Sequence, residues 1–216
     1  MEIRITAISG RNGGEEVEIT FELSDGTHSE KRAFLISSSQ YLVLCPQRGI
    51  SDEQTFDEIK YESDVWSATK RGIFILGYGA CSEKALAAKL ISKGFERDIA
   101  ADAVRAIVAK GLLRPGEDAS REAEKMVKKL WGKRRIISAL YEKGYSAEAV
   151  REAIRSLEKN SVDYEKNCKR LIREKYADVE LDVSAQAKIY AALSRYGYSS
   201  SEIKSAMLWL QEKFSD

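Results

Sequence analysis

The rhythm of hydrophobic and polar residues changes once along this chain. Val17-Glu18-Ile19-Thr20-Phe21-Glu22-Leu23 alternates apolar with polar, the period of a half-buried strand. Ser24-Asp25-Gly26-Thr27 then supplies a turn with glycine where a positive φ is wanted, and Asn12-Gly13-Gly14 marks an earlier one. Ala33-Phe34-Leu35-Ile36 reads as a further strand, while Tyr41-Leu42-Val43-Leu44 fits a strand or a helix. Residues 1–62 are therefore predicted to be β-rich, a small sheet resting against the first helices because so few strands do not stand alone.

From Ser63 onward the period is helical, and one segment recurs three times. It is anchored on a glycine followed by an aromatic: Gly94-Phe95, Gly144-Tyr145 and Gly197-Tyr198. Leu90, Leu140 and Leu193 stand four residues before each glycine. Ala100, Val150 and Ile203 stand six after it, Ala103, Ala153 and Ala206 nine after, Val104, Ile154 and Met207 ten after, and Ile107, Leu157 and Leu210 thirteen after.

The physics of these columns is a helix, a corner and a second helix. A glycine just past a helix end takes the left-handed conformation without a Cβ penalty, and the aromatic after it folds back onto the leucine one turn earlier. Polar residues follow (Glu96-Arg97-Asp98, Ser146-Ala147-Glu148, Ser199-Ser200-Ser201) and suit the start of the next helix. Offsets 6, 9, 10 and 13 share one helix face. Glycine spacings of 50 and 53 leave room for one more helix per copy. The predicted fold is mainly α: a tandem array of three three-helix units, 63–114, 115–160 and 161–216, elongated and curved, behind the N-terminal sheet. Helices are predicted near 63–78, 82–93, 97–110, 117–130, 133–143, 147–158, 162–176, 184–196 and 200–214.

Composition narrows the functional classes. No stretch approaches the roughly 18 apolar residues of a membrane helix, and Met1-Glu2-Ile3-Arg4 resembles no signal or transit peptide. Cys45, Cys81 and Cys168 are odd in number and far apart, so free thiols in a reducing cytoplasm are expected. The net charge of +1 hides an asymmetry: residues 1–62 carry 12 acidic and 6 basic side chains, the remainder 22 and 29. The helical part thus holds the positive field, suited to a polyanion or an acidic protein face, though Lys and Arg also serve solvated helix surfaces.

Nothing in the sequence suggests catalysis, a metal or a cofactor. His28 sits in a turn-rich segment with no cysteine near it, and Gly77-Tyr78-Gly79 lacks the Gly-Lys-Ser/Thr of a phosphate loop and is read as a helix end. The densest positive cluster is Lys128, Lys129, Lys133, Arg134 and Arg135 around Trp131-Gly132. Lys128 and Lys129 favour the dipole at a helix C-terminus, whereas Lys133, Arg134 and Arg135 oppose it at a helix start. The cluster, with Trp131, is the candidate partner-binding surface. Lys169, Arg170, Arg173 and Lys175 form a second group that fits a solvated face or a contact face. Trp209, amid Met207, Leu208 and Leu210, is expected in the core, while Trp131 is placed to stack on a base or anchor an interface.

At these residues a family becomes visible. Cys81-Ser82-Glu83-Lys84-Ala85-Leu86-Ala87-Ala88-Lys89-Leu90-Ile91-Ser92-Lys93-Gly94-Phe95 resembles the S-x-x-E-L-x-x-K-L-x-x-K-G-F helix of the bacterial RecX proteins. Gly132-Lys133-Arg134-Arg135-Ile136-Ile137-Ser138-Ala139-Leu140-Tyr141-Glu142-Lys143-Gly144-Tyr145 resembles their G-x-x-R-I-x-x-x-L-x-x-K-G-I segment, and Ala109-Lys110-Gly111-Leu112-Leu113 the end of the intervening helix. The chain departs from the family at Arg114-Pro115-Gly116, where an acidic pair is usual, and over residues 177–183, a looser link. The resemblance implies a regulator that lies in the groove of the RecA filament on single-stranded DNA, touches adjacent recombinase subunits and restrains or disassembles the filament in DNA repair and recombination, with no cofactor. Two other readings stay open. One is a direct nucleic-acid binder, since two helices at a glycine corner superficially resemble a helix-turn-helix; the other is a helical scaffold for a different protein.

Overall fold

Alternation begins earlier than Val17: Ile3 and Ile5 are buried while Glu2 and Arg4, which alternate with them, are exposed, and they open strand β1 (Glu2–Arg11). The computed structural model describes residues 2–176 and 182–213. Most of the looser link expected over 177–183 thus lies outside the described residues. The fold is mainly helical, with a four-stranded antiparallel sheet at its N-terminal end. By internal contacts the chain forms two compact units, residues 1–79 with 86–113 and residues 80–85 with 114–216.

In the first unit, β1 pairs with β2 (Glu16–Ser24), and β2 with β3 (Ser29–Ser37). A short β4 (Gly49–Ser51) completes the order β3-β2-β1-β4. The turns fall at Asn12-Gly13-Gly14 and Asp25-Gly26, as the sequence predicts, and both use positive φ. Tyr41–Leu44 resolves to helix: α1 (Ser38–Leu44) starts where the Ser37 hydroxyl accepts the Gln40 N–H.

The β-rich reading of residues 1–62 is corrected at its end, because α2 (Glu53–Leu76) begins ten residues before the expected change of period at Ser63. Asp52 caps it by accepting the Thr55 N–H at 2.7 Å. Phe56 and Ile59, one turn apart, then bury against the sheet, where Phe21, Phe34 and Phe56 pack edge-to-face at 5.1–5.8 Å between centroids. Buried Glu16 ties sheet to helix, accepting from Lys70 Nζ at 2.7 Å and Trp66 Nε1 at 2.8 Å. Helix α3 (Glu83–Ile91) and α4 (Arg97–Ala109) follow. Gly72 lets α4 approach α2, since a Cβ there would stand 2.5 Å from Ile107 Cδ1.

The second unit holds α5 (Pro115–Lys128), α6 (Lys133–Glu142), α7 (Ala147–Lys159), α8 (Tyr164–Tyr176), α9 (Val183–Arg195) and α10 (Ser200–Lys213). It has two cores. One gathers Ala119, Met126, Ile136, Leu140 and Leu157 from α5 to α7; the other gathers Cys168, Ile172, Leu193, Ile203 and Leu210 from α8 to α10.

The repeat columns are structural columns. Leu90, Leu140 and Leu193 are fully buried, as are Ala103, Ala153 and Ala206, while Ile154 and Met207 are only half-buried. Gly94, Gly144 and Gly197 have φ of 96°, 82° and 90°. At each corner the aromatic N–H reaches the leucine carbonyl five residues back, Phe95 to Leu90, Tyr145 to Leu140 and Tyr198 to Leu193, at 3.1–3.3 Å. This is the Schellman closure the glycine permits.

Candidate functional site

The basic cluster begins where α5 ends, and it ends on a residue other than glycine. Leu130 adopts φ 58°, with its N–H on the Val127 carbonyl and the Trp131 N–H on the Met126 carbonyl. A left-handed leucine costs about 1–2 kcal/mol. Burial of its side chain in the α8–α10 core, and the hydrogen bond its carbonyl accepts from the Tyr198 hydroxyl at 2.8 Å, offset that cost.

This turn delivers Gly132 to the start of α6, against the third corner. The Gly132 N–H donates to the Tyr196 carbonyl at 2.8 Å, and the Arg134 N–H to the Gly197 carbonyl at 3.1 Å. Two orphan donors of α6 are thereby satisfied by the C-terminal corner of α9. The approach is backbone to backbone: a Cβ on Gly132 would lie 2.4 Å from the Gly197 carbonyl carbon. The carbonyls also bring negative partial charge to a helix start whose side chains are all cationic. The Gly144 corner meets Ser82 in a related way, the Ser82 hydroxyl donating to the Lys143 carbonyl at 2.6 Å and accepting the Ala85 N–H.

Cations of the cluster divide by role. Lys133 pairs with Glu158 at 2.6 Å. Arg135 is held between two rings, its guanidinium carbon 4.0 Å from the Trp131 centroid and 5.2 Å from that of Tyr196. Lys175 donates to the Tyr196 hydroxyl and lies 4.7 Å from the same ring. Lys128, Lys129 and Arg134 are exposed. Between α6, α8 and α9 lies a groove of about 670 Å³, with Trp131, Arg135, Glu142, Tyr176, Arg195 and Tyr196 on its walls.

The second basic group lies elsewhere. Lys169, Arg170 and Arg173 surround Trp209, together with Lys166 and Asn167, around a pocket of about 270 Å³. Trp209, expected in the core, is instead half-buried at the edge of that core. Its neighbours Leu210 and Ala206 take the inward positions, and the α10 face turns the indole toward α8. Lys169 and Arg170 are engaged by Glu165 and Glu174, each at 2.7 Å. Lys175 belongs to the first site and not to this one. Sequence reasoning did not select Tyr176, Arg195 or Tyr196. The only available signal was Tyr196 itself, an aromatic where the other corners carry Lys93 and Lys143.

Other reactive groups are in quiet surroundings. Burial pushes the Cys168 thiol up to about 12, so it stays protonated at neutral pH. Backbone N–H groups of His28 and Thr27 hold the Asp25 carboxyl at about 2, which marks a well-made turn. Among the described residues no group of three His, Cys, Asp or Glu side chains could hold a metal, and no helix is long and apolar enough to cross a membrane.

No family model matches the sequence, and no curated protein matches it. Solved structures do. The crystal structure of a regulatory protein RecX superposes with a TM-score of 0.70 at 19% identity, covering 94% of this chain and 97% of that one. RecX from Lactobacillus salivarius superposes with a TM-score of 0.57 at 19% identity, covering 68% of this chain and 97% of the other. The chain has the RecX fold.

Proposed function

We propose that this protein regulates a RecA-type recombinase, binding its filament on single-stranded DNA and restraining strand exchange in cytoplasmic DNA repair and recombination. The observation that supports this is a likeness at two levels. The glycine-aromatic corners and the Gly132–Tyr145 segment resemble RecX in sequence, and the fold matches a RecX structure over 94% of the chain. The units 63–114, 115–160 and 161–216 are the proposed building blocks, and a filament of repeated subunits offers them repeated contacts. No catalytic step is part of this reading. The test is recombinase-driven strand exchange and ATP hydrolysis on single-stranded DNA with increasing amounts of the purified protein. Both are expected to fall before the protein equals the recombinase in concentration. Unchanged rates, with no co-sedimentation on the filament, would overturn the proposal.

A further inference from the structure

Among the described residues, the groove between α6, α8 and α9 has three aromatic walls and two arginines against one carboxylate, Glu142. We propose that it binds single-stranded nucleic acid directly, one unstacked base lying against Trp131, Tyr176 and Tyr196 with neighbouring phosphates on Arg135 and Arg195. The inference deepens the filament reading, on which it rests for the strand being DNA.

Four observations carry it. A volume of about 670 Å³ lies within the range of sites that enclose small ligands, and planar walls suit a planar occupant. Arg135 is fixed in advance by the rings of Trp131 and Tyr196, which leaves the edges of its guanidinium to donate to phosphate oxygens. Among the described residues Arg195, on the groove wall, takes part in no ion pair, so no described carboxylate neutralises its charge. Aromatic and cation also recur together at Trp209, amid Lys166, Lys169, Arg170 and Arg173. Stacking faces combined with cations that track a backbone are how single strands are held without sequence preference. A protein partner fits less well: Lys is depleted from protein interfaces, and here exposed Lys129 and Lys175 lie beside the Trp131 and Tyr196 rings of the groove wall. A duplex fits less well too, because its bases are stacked and cannot enter a pocket of this shape.

The experiment uses the full chain without recombinase. Fluorescence anisotropy follows labelled oligothymidine and oligouridine of about 16 nucleotides, from about 50 to 200 mM salt. Wild-type protein is expected to bind, with affinity falling as salt rises; tighter thymidine binding identifies DNA as the ligand, tighter uridine binding RNA. Arg195→Ala, an exposed position, should reduce the salt slope by about 0.7. Trp131→Leu should weaken binding roughly tenfold or more. Tyr176→Leu serves as a second stacking variant, and circular dichroism confirms that each is folded. Three results would overturn the site: no binding by wild type at low salt, folded variants that bind as wild type does, or variants that lose filament inhibition at unchanged single-strand affinity, which would put a protein in the groove. The first leaves the filament proposal intact if strand exchange is still inhibited, so the two fail separately.

Discussion

The Gly94 and Gly197 corners are spelled alike and close their helices with the same pair of hydrogen bonds, yet they stand in opposite surroundings. A Cβ on Gly94 would meet nothing within 4 Å, whereas one on Gly197 would lie 2.3 Å from the Arg135 backbone nitrogen. The glycine-aromatic signature therefore encodes the turn and not what docks on it. At Gly94 the residue supplies only a permitted left-handed φ; at Gly197 it supplies that and an empty space that another backbone fills.

Substitutions can pull these two contributions apart, and chemical denaturation reads each of them. The largest effect is expected for Gly197→Ala, where backbone strain and collision with Arg135 add to about 3–5 kcal/mol. Gly132→Ala comes next, at about 2–3 kcal/mol. Its φ of −76° is ordinary, so the loss reports the close approach alone. Gly94→Ala should cost about 1–2 kcal/mol, the strain alone. Equal losses at Gly94 and Gly197 would erase the distinction between the corners.

The smallest effect lies outside the repeat and provides a pH signature. The ammonium of Lys70, then the indole N–H of Trp66, hold the Glu16 carboxyl below its ordinary value of 4.5 in the folded chain. A folded pKa that is lowered gives stability that is complete above the unfolded value and lost as the pH falls through the folded one. Glu16→Gln should therefore cost about 1 kcal/mol at neutral pH, with the deficit shrinking as the pH drops below 4.5. A deficit that does not change with pH would remove the ion pair as its cause.

Much of this fold is legible in the sequence because its code is local. Each corner needs a glycine, an aromatic and a leucine within six residues, and the helices that flank it follow from one-face spacing; from α3 onward observed helix ends lie within two residues of expectation. The start of α2 escapes because Glu53-Gln54-Thr55-Phe56 offers one apolar residue in four, and its helical face is defined by a sheet that the periodicity does not contain. The site is half legible for the same reason. Trp131 and Arg135 stand out within one charged stretch, but Tyr176, Arg195 and Tyr196 lie about 40 to 65 residues further on, and Tyr196 is brought in by the Gly132–Gly197 approach. The judgement that cations burden the start of α6 also changes. That helix start is met by two carbonyls, one charge is paired with Glu158 and another is stacked.

Two couplings hold corners to helix starts in the second unit, and they work by different keys. At Ser82 a hydroxyl grips the Lys143 carbonyl, so a side chain is required. At Gly132 the contact is made by peptide planes, so a side chain is forbidden. The three copies are consequently not interchangeable parts. Duplicating, deleting or shuffling one by recombinant means would mismatch lock and key unless Gly132 and Gly197 travel together, and a swap that moves either glycine alone should give a chain whose helices form but whose α6 and α9 do not engage. The order of the second and third copies is thus written into two small residues rather than into the large apolar ones that build each core.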